Sequence, residues 1–348
     1  ESEIAEDPED TGALYCKAVA HRYLKAHDDA LATLAQLKSL APNYARAFQE
    51  EGHIFRAMGD LARARSAYQQ AVRLNSALPA SWRELAEIHK QQKDARLHAA
   101  ADAEYRRLAG LPPELVSVTS LINERKFYKA ERLCRAFLAQ TPHHVEAMRL
   151  LALLGMELFV YDDAEFLLES CVELQPDYWL ARLDYVKVLH RRQKFDKALE
   201  QARILRDTNP DNRLFELTLA NENVAVGNFD EALEVYDRVI AEHPEFEQVY
   251  LSRGHALKTI GRLDEGIESY RGAYGARDDF GDAFWSLANL KTYRFADSEI
   301  EHMRRQVERP ETATEDRFHF CFALGKALED REAFAESFAW YERGNVLR

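Results

Sequence analysis

The chain has 348 residues, 47% of them hydrophobic and 30% charged, with 14 Gly and 10 Pro, a balance that excludes a disordered or collagen-like polymer. Its formal net charge of −13 repels phosphate backbones, so no nucleic-acid partner is expected. No apolar run approaches the ~18 residues that a membrane helix needs, so no membrane partner is expected either.

The first ten residues, ESEIAEDPED, are acidic and predict a frayed end. The chain starts at Glu1 rather than Met, and a processed N-terminus is the expectation. From residue 11 a 34-residue beat sets in. Ala30 and Ala64 are 34 apart, and Ala130, Ala164, Ala198, Ala232 and Gly266 continue the spacing. Pro42, Pro142, Pro176, Pro210 and Pro244 follow twelve residues behind. Repeats are expected over 11–44, 45–78, about 79–110, about 111–144, 145–178, 179–212, 213–246 and 247–280. Positions below are counted from the first residue of each repeat.

Side-chain size predicts two antiparallel helices, A and B, in each repeat. Position 8 on helix A is often small (Ala18, Gly52, Ala86, Ala152, Ala220, Gly254), as is position 20 on helix B, the marching alanine. Small residues facing each other allow close helix axes. Tyr68, Tyr105, Tyr236 and Tyr270 are read as position-24 fillers, and Gly59, Gly227 and Gly261 as A–B turn residues that accept a left-handed backbone. The proline ends helix B, and early acids such as Asp196 and Asp230 suit its N-terminus.

The third and fourth repeats break the spacing. Ala64 to Ala101 is 37 residues and Ala101 to Ala130 is 29. Extra residues are expected around Lys93–Ala99, then a shortened helix after Pro112-Pro113. Beyond 280, residues 281–293 read as a helix A, about 298–309 as a helix with Ile300 and Arg304 in place of the alanine and aromatic, and a last helix pair begins near Thr314 as N-cap.

A 34-residue period with these markers resembles the tetratricopeptide repeat (TPR) family. The resemblance covers about 11–280 and implies an all-α, right-handed superhelix, an α-solenoid of helix-turn-helix repeats, about nine units in all. A narrower resemblance lies in 281–348. Trp285-Ser286-Leu287-Ala288-Asn289-Leu290-Lys291-Thr292-Tyr293, Phe322-Ala323-Leu324-Gly325-Lys326-Ala327-Leu328-Glu329-Asp330 and Tyr341-Glu342-Arg343-Gly344-Asn345 are similar to the repeat region of bacterial TPR-containing sulfotransferases. That likeness implies a substrate-recruiting arm leading into a C-terminal domain beyond Arg348 that uses 3′-phosphoadenylyl sulfate (PAPS). No catalytic residue is expected within the chain, which on this reading is not itself an enzyme and carries no cofactor. The alternative is a stand-alone TPR adaptor that assembles other proteins.

Functional candidates come from the register. In the TPR family positions 2, 5, 9, 12 and 13 of helix A line the concave groove. By that register Arg83, Arg149, Lys187, His190 and Arg191 project inward and suit acidic side chains or a C-terminal carboxylate. Position 9 reads Asn221, His255 and Asn289, side chains able to hold a peptide backbone. The carboxylate clamp of chaperone-binding TPR proteins is not matched: from 213 its positions read Leu217, Asn221, Ser252, Asp282 and Ser286. An asparagine ladder like that of O-GlcNAc transferase is also missing as a continuous row.

Other motifs read as packing. Gly325-Lys326 lacks the earlier Gly and the following Ser or Thr of a phosphate loop. His319/Cys321 and His143-His144 have no further ligands at useful spacing, so no metal is expected. The four cysteines, Cys16, Cys134, Cys171 and Cys321, form no CxxC pair, and a reducing, cytoplasmic setting is the expectation. In the last helix Phe338, Val346 and Leu347 are expected to lack a neighbouring helix, marking an interface with a further domain or a second copy in a homodimer.

Overall fold

The computed structural model describes residues 9–348. The acidic stretch expected to fray lies, for its first eight residues, outside the described ones. Among the described residues there are twenty helices and no strand. Eight A–B pairs run in order: α1 (Thr11–Tyr23) and α2 (His27–Leu40), α3 (Ala45–Ala57) and α4 (Leu61–Leu74), α5 (Pro79–Gln91) and α6 (Ala95–Ala109), α7 (Pro113–Asn123) and α8 (Phe127–Gln140), α9 (Val145–Glu157) and α10 (Tyr161–Leu174), α11 (Trp179–Arg191) and α12 (Phe195–Thr208), α13 (Arg213–Val226) and α14 (Phe229–Glu242), α15 (Glu247–Thr259) and α16 (Leu263–Ala276). Then come α17 (Gly281–Ala288), α18 (Asp297–Glu308), α19 (Thr314–Glu329) and α20 (Phe334–Leu347). The fold is all-α, of the helical-repeat (α-solenoid) class. Two compact units divide it, Glu1–Asp184 and Tyr185–Arg348, the division falling inside α11.

The marching alanines are fully buried, Ala30, Ala64, Ala130, Ala164, Ala198 and Ala232 all at 0% exposure. A larger side chain there would have to push two helices apart, so the 34-residue beat is a packing requirement. Several N-termini are capped by side chains: Asp10, Asp60, Asp94, His144 and Asn212 accept from backbone N–H groups of α1, α4, α6, α9 and α13, which satisfies donors the helix cannot.

The irregularity is simpler than the alanine spacing suggested. Helix A begins at 11, 45, 79, 113, 145, 179, 213, 247 and 281, and helix B at 27, 61, 95, 127, 161, 195, 229 and 263. No residues are inserted around Lys93–Ala99. Position 20 of the third repeat is held by His98, whose Nδ1 lies 2.9 Å from the Ala86 carbonyl oxygen, while Ala101 is a second buried alanine further along α6. Tyr105 is therefore not a position-24 residue and is only half-buried. The true shortening is in α7, 11 residues instead of the 13 of α1, α3, α5 and α9. Pro113 starts it at N1, where a missing N–H costs nothing.

Each A–B turn uses one residue of positive φ two positions before helix B. Three are Gly59, Gly227 and Gly261, but Lys25, Lys93, Arg125, Phe159, Gln193 and Glu332 do the same at φ between 55° and 62°. An L-residue there gives up ~1 kcal/mol, so the turn geometry is imposed by helix packing and announced by glycine in only three of these nine turns.

The C-terminal region departs most from its sequence reading. α17 stops at Ala288 instead of running to 293, because Leu290, Tyr293 and Phe295 turn into a core with Phe284, Met303 and Phe320. Gly281 opens α17 in close approach to α19: a Cβ there would lie 2.2 Å from the Asp316 carbonyl oxygen, and the Gly281 N–H donates to Asp316 Oδ1 at 2.9 Å. Ala313, not Thr314, is the cap of α19.

Candidate functional site

Within the second unit, four helix-A faces follow one pattern. Position 5 is Leu217, Leu251, Trp285 and, in the last pair, Phe318; position 9 is Asn221, His255, Asn289 and Phe322. Trp285 and Phe322 rings are 5.6 Å apart and Phe318 and Phe322 6.1 Å, all half-buried. An apolar row of Leu217, Trp285 and Phe318, with Leu251 buried in the core between them, thus runs beside a polar row that ends in an aromatic.

The polar row is oriented from beneath. The Tyr236 hydroxyl donates to Asn221 Oδ1 at 2.6 Å, and the Tyr270 hydroxyl meets His255 Nδ1 at 2.9 Å with the rings edge to face. Burial, then the charge of Asp282, pushes the Tyr270 hydroxyl up to about 12, and burial likewise raises Tyr236. Both therefore stay protonated and donate. Burial lowers His255 below its usual value, which favours the neutral ring accepting at Nδ1 and carrying its proton on Nε2. The groups left outward are the Asn221 NH2 and the His255 Nε2–H, both donors. Asn289 instead caps α17 and donates to the Trp285 carbonyl at 3.0 Å, leaving its Oδ1 outward.

The same device occurs in the first unit, where it was missed: His53 Nδ1 lies 2.7 Å from the Tyr68 hydroxyl, again position 9 to position 24. The signal was present, since the two positions are always 15 residues apart. Gly254 and Gly52 at position 8 lie against these rings, where a Cβ would sit 2.5 and 2.6 Å from ring carbons of Tyr270 and Tyr68, whereas Tyr236 packs in a repeat with Ala220 at that position.

The remaining candidates are placed less openly than the register implied. Arg149 is 7% exposed. It donates to Glu146 at 2.7 and 3.0 Å and to Asp184 at 2.7 Å, while the Tyr178 hydroxyl also donates to Glu146. Burial opposes the Glu146 charge, but Arg149 outweighs it and holds this carboxyl below its ordinary range. Arg149 is thus a structural cation and presents no guanidinium to a ligand. Arg83 is exposed beside Glu84 at 3.3 Å. His190 Nδ1 sits 3.0 Å from Glu222, and Lys187 and Arg191 are exposed. Phe338 and Val346 are 69% and 83% exposed, whereas Leu347 packs on the C-terminal core with Trp340.

The Gly325-Lys326 pair is not shaped as a phosphate loop. Gly325 is buried in mid-helix with its α-carbon against Tyr341, and Lys326 is engaged by Asp330, so no backbone N–H is available to a phosphate there. Among the described residues no three metal-ligating side chains converge, and no helix is long and apolar enough to cross a membrane.

Comparison with known proteins adds the following. Tetratricopeptide repeat models match residues 45–78 and 217–282. No curated protein matches the chain. Among solved structures it is similar to a tetratricopeptide repeat protein from Parabacteroides merdae (14% identity, 86% of this chain and 98% of that one, TM-score 0.47) and to yeast Tom70 (12%, 97% and 92%, 0.45). MamA from Desulfovibrio magneticus covers 49% of this chain and 98% of its own at 12% identity, TM-score 0.43. The chain therefore contains TPR repeats at 45–78 and 217–282.

Proposed function

We propose that the chain is a protein-binding scaffold whose second unit holds an extended peptide along α13, α15, α17 and α19. The observation that carries this is the tyrosine-oriented row. Fixing Asn221 and His255 from below removes their rotamer freedom before a ligand arrives, which lowers the entropic cost of binding. Two outward donors on successive repeats suit peptide carbonyls, and the apolar row of Leu217, Trp285 and Phe318 suits side chains on the strand's other face. The test is selection of peptides from a random library on the intact chain, followed by affinity measurement. Trp285→Ala should weaken the selected peptides by about tenfold or more, as aromatic anchors do; an unchanged affinity rejects the site.

The finer reading is that this scaffold serves as the acceptor-recruiting arm of a PAPS-dependent sulfotransferase in the cytoplasm, with the donor bound by a domain following Arg348. What supports it is the likeness of 281–348 to such repeat regions. Three buried thiols that burial pushes up, Cys134 and Cys171 to about 12 and Cys321 to about 11, are compatible with a reducing setting. A PAPS-dependent transfer assay on the natural gene product, set against residues 1–348 alone, tests it. Transfer only by a longer product supports the arm; no donor binding by any product supports the stand-alone adaptor.

A further inference from the structure

Arginines of the second unit cover several of its aromatic rings. Arg213 lies 4.5 Å from the Phe246 centroid, Arg277 4.4 Å from that of Phe280 and Arg343 5.3 Å from that of Trp340. The aromatic group on the helix-A face is left uncovered. Trp285 and Phe318 each meet Phe322, at 5.6 and 6.1 Å between ring centroids, and all three are half-buried. Among the described residues no lysine or arginine lies over any of the three. Lys326, one turn beyond Phe322 on α19, is held by Asp330. A carboxylate beside the rings is open as well. Asp282 stands one turn before Trp285 on α17, the spacing that puts two side chains on one helix face. It is half-buried, and its charge reaches His255 and Tyr270 of the preceding repeat. Asp316 has Arg277 as its cation, and Asp330 has Arg294 and Lys326; among the described residues Asp282 has none. Lys258, whose charge also reaches His255, is exposed and outside ion-pair distance of Asp282.

Aromatic faces attract a cation through their quadrupole, more strongly where water is excluded. A carboxylate within reach adds its charge, and the net charge of −13 favours the approach of a basic partner. A long basic side chain meets both demands: its methylene stem packs on the rings while its charged head stays near the carboxylate. An acidic side chain would face Asp282 at like charge. A purely apolar one would cover that carboxylate and give it no partner. We propose that this place takes a lysine or arginine side chain of the bound peptide, its stem on Trp285, Phe318 and Phe322 and its charge toward Asp282. The inference rests on the peptide-binding reading above and deepens it by naming the chemistry of the peptide.

The test starts from peptides selected out of a random library on the intact chain. Lysine or arginine should be enriched at one position in them. Replacing that residue by norleucine, which keeps a stem and removes the charge, should weaken binding by about fivefold or more. This comparison is made on the unaltered chain, so it does not depend on any variant folding. Asp282→Asn should shrink the difference between the basic and norleucine peptides by about twofold or more, and added salt should weaken the basic peptide more than the norleucine one. Selected peptides that need Trp285 but show no basic residue overturn the inference and leave the groove reading standing. So does a norleucine peptide that binds as tightly as its parent, or a difference that Asp282→Asn leaves untouched. A chain that selects no peptide at all removes the groove reading and this inference together.

Discussion

The two units use the same repeat to build different helix-A faces. In the first, charged side chains are spent on one another across neighbouring repeats. Arg22 meets Glu50 at 2.5 Å and Arg56 meets Glu84 at 3.2 Å, each position 12 to position 6 of the next repeat, and Arg149 bridges Glu146 and Asp184. In the second, His190 meets Glu222 and Arg277 meets Asp316, while Asn221 and His255 at position 9 are each held by a tyrosine of their own repeat, as His53 is in the first unit. Where Arg22, Arg56 and Arg149 are paired in this way the face closes itself, because those cations already have their anions. A face oriented from below keeps donors turned outward. The helix-pair unit is common to both, so the difference in use comes from side chains at positions 6, 9, 12 and 24.

This contrast can be broken first at Arg149. Arg149→Ala takes the forked donor from Glu146 and a 2.7 Å donor from Asp184, and should cost ~3–5 kcal/mol, read as a lowered urea midpoint. A loss no larger than that of the exposed Arg63→Ala would show the network to be dispensable. Next is Gly281→Ala, which drives a Cβ into the Asp316 carbonyl and should cost ~1–3 kcal/mol by overpacking. An unchanged melt would contradict the close approach of α17 and α19. Smaller and opposite in sign is Lys93→Gly, which relieves a positive φ at an exposed turn and should stabilise by up to ~1 kcal/mol; destabilisation would mean the lysine contributes something beyond its backbone.

The smallest effect is on pH. Burial lowers His53 and His255 from 6.5, so the unfolded chain takes up these protons first. Their stabilising contribution is complete above pH 6.5 and declines as pH falls below it, toward the lower folded values. The melting temperature should therefore drop between about pH 6.5 and pH 5, and less steeply in His53→Asn/His255→Asn, where asparagine keeps an acceptor for tyrosine as Asn221 does. Equal slopes would show that the two histidines do not carry the dependence.

Much of the fold was legible because it depends on residue size at fixed spacing. A buried alanine recurring every 34 residues is kept by the close approach of two helices, so the beat survives in most repeats of the sequence. It misled where His98 took the alanine's place by bonding to a backbone carbonyl: spacing counted on alanines then invented an insertion and hid the real loss of two residues in α7. The turns were legible only at Gly59, Gly227 and Gly261, since packing forces lysine or phenylalanine elsewhere into a backbone that only glycine advertises. Of the candidate site, Asn221 and His255 were legible from register. Their tyrosine partners were read only as filler, because a hydroxyl buried beside a polar side chain looks the same in sequence as one that packs. The fate of Arg149 was not legible, as Asp184 reaches it from the next repeat.

The most direct measurement of the central claim is the affinity of library-selected peptides for the intact chain carrying Asn221→Ala and His255→Ala. Removing both outward donors while leaving the apolar row in place should weaken binding by about 10- to 100-fold, roughly one hydrogen bond's worth each, with Arg83→Ala causing no comparable loss. Affinity that is unchanged by the double substitution, or that falls instead with Arg83→Ala, would contradict the account and move the binding face away from the tyrosine-oriented row.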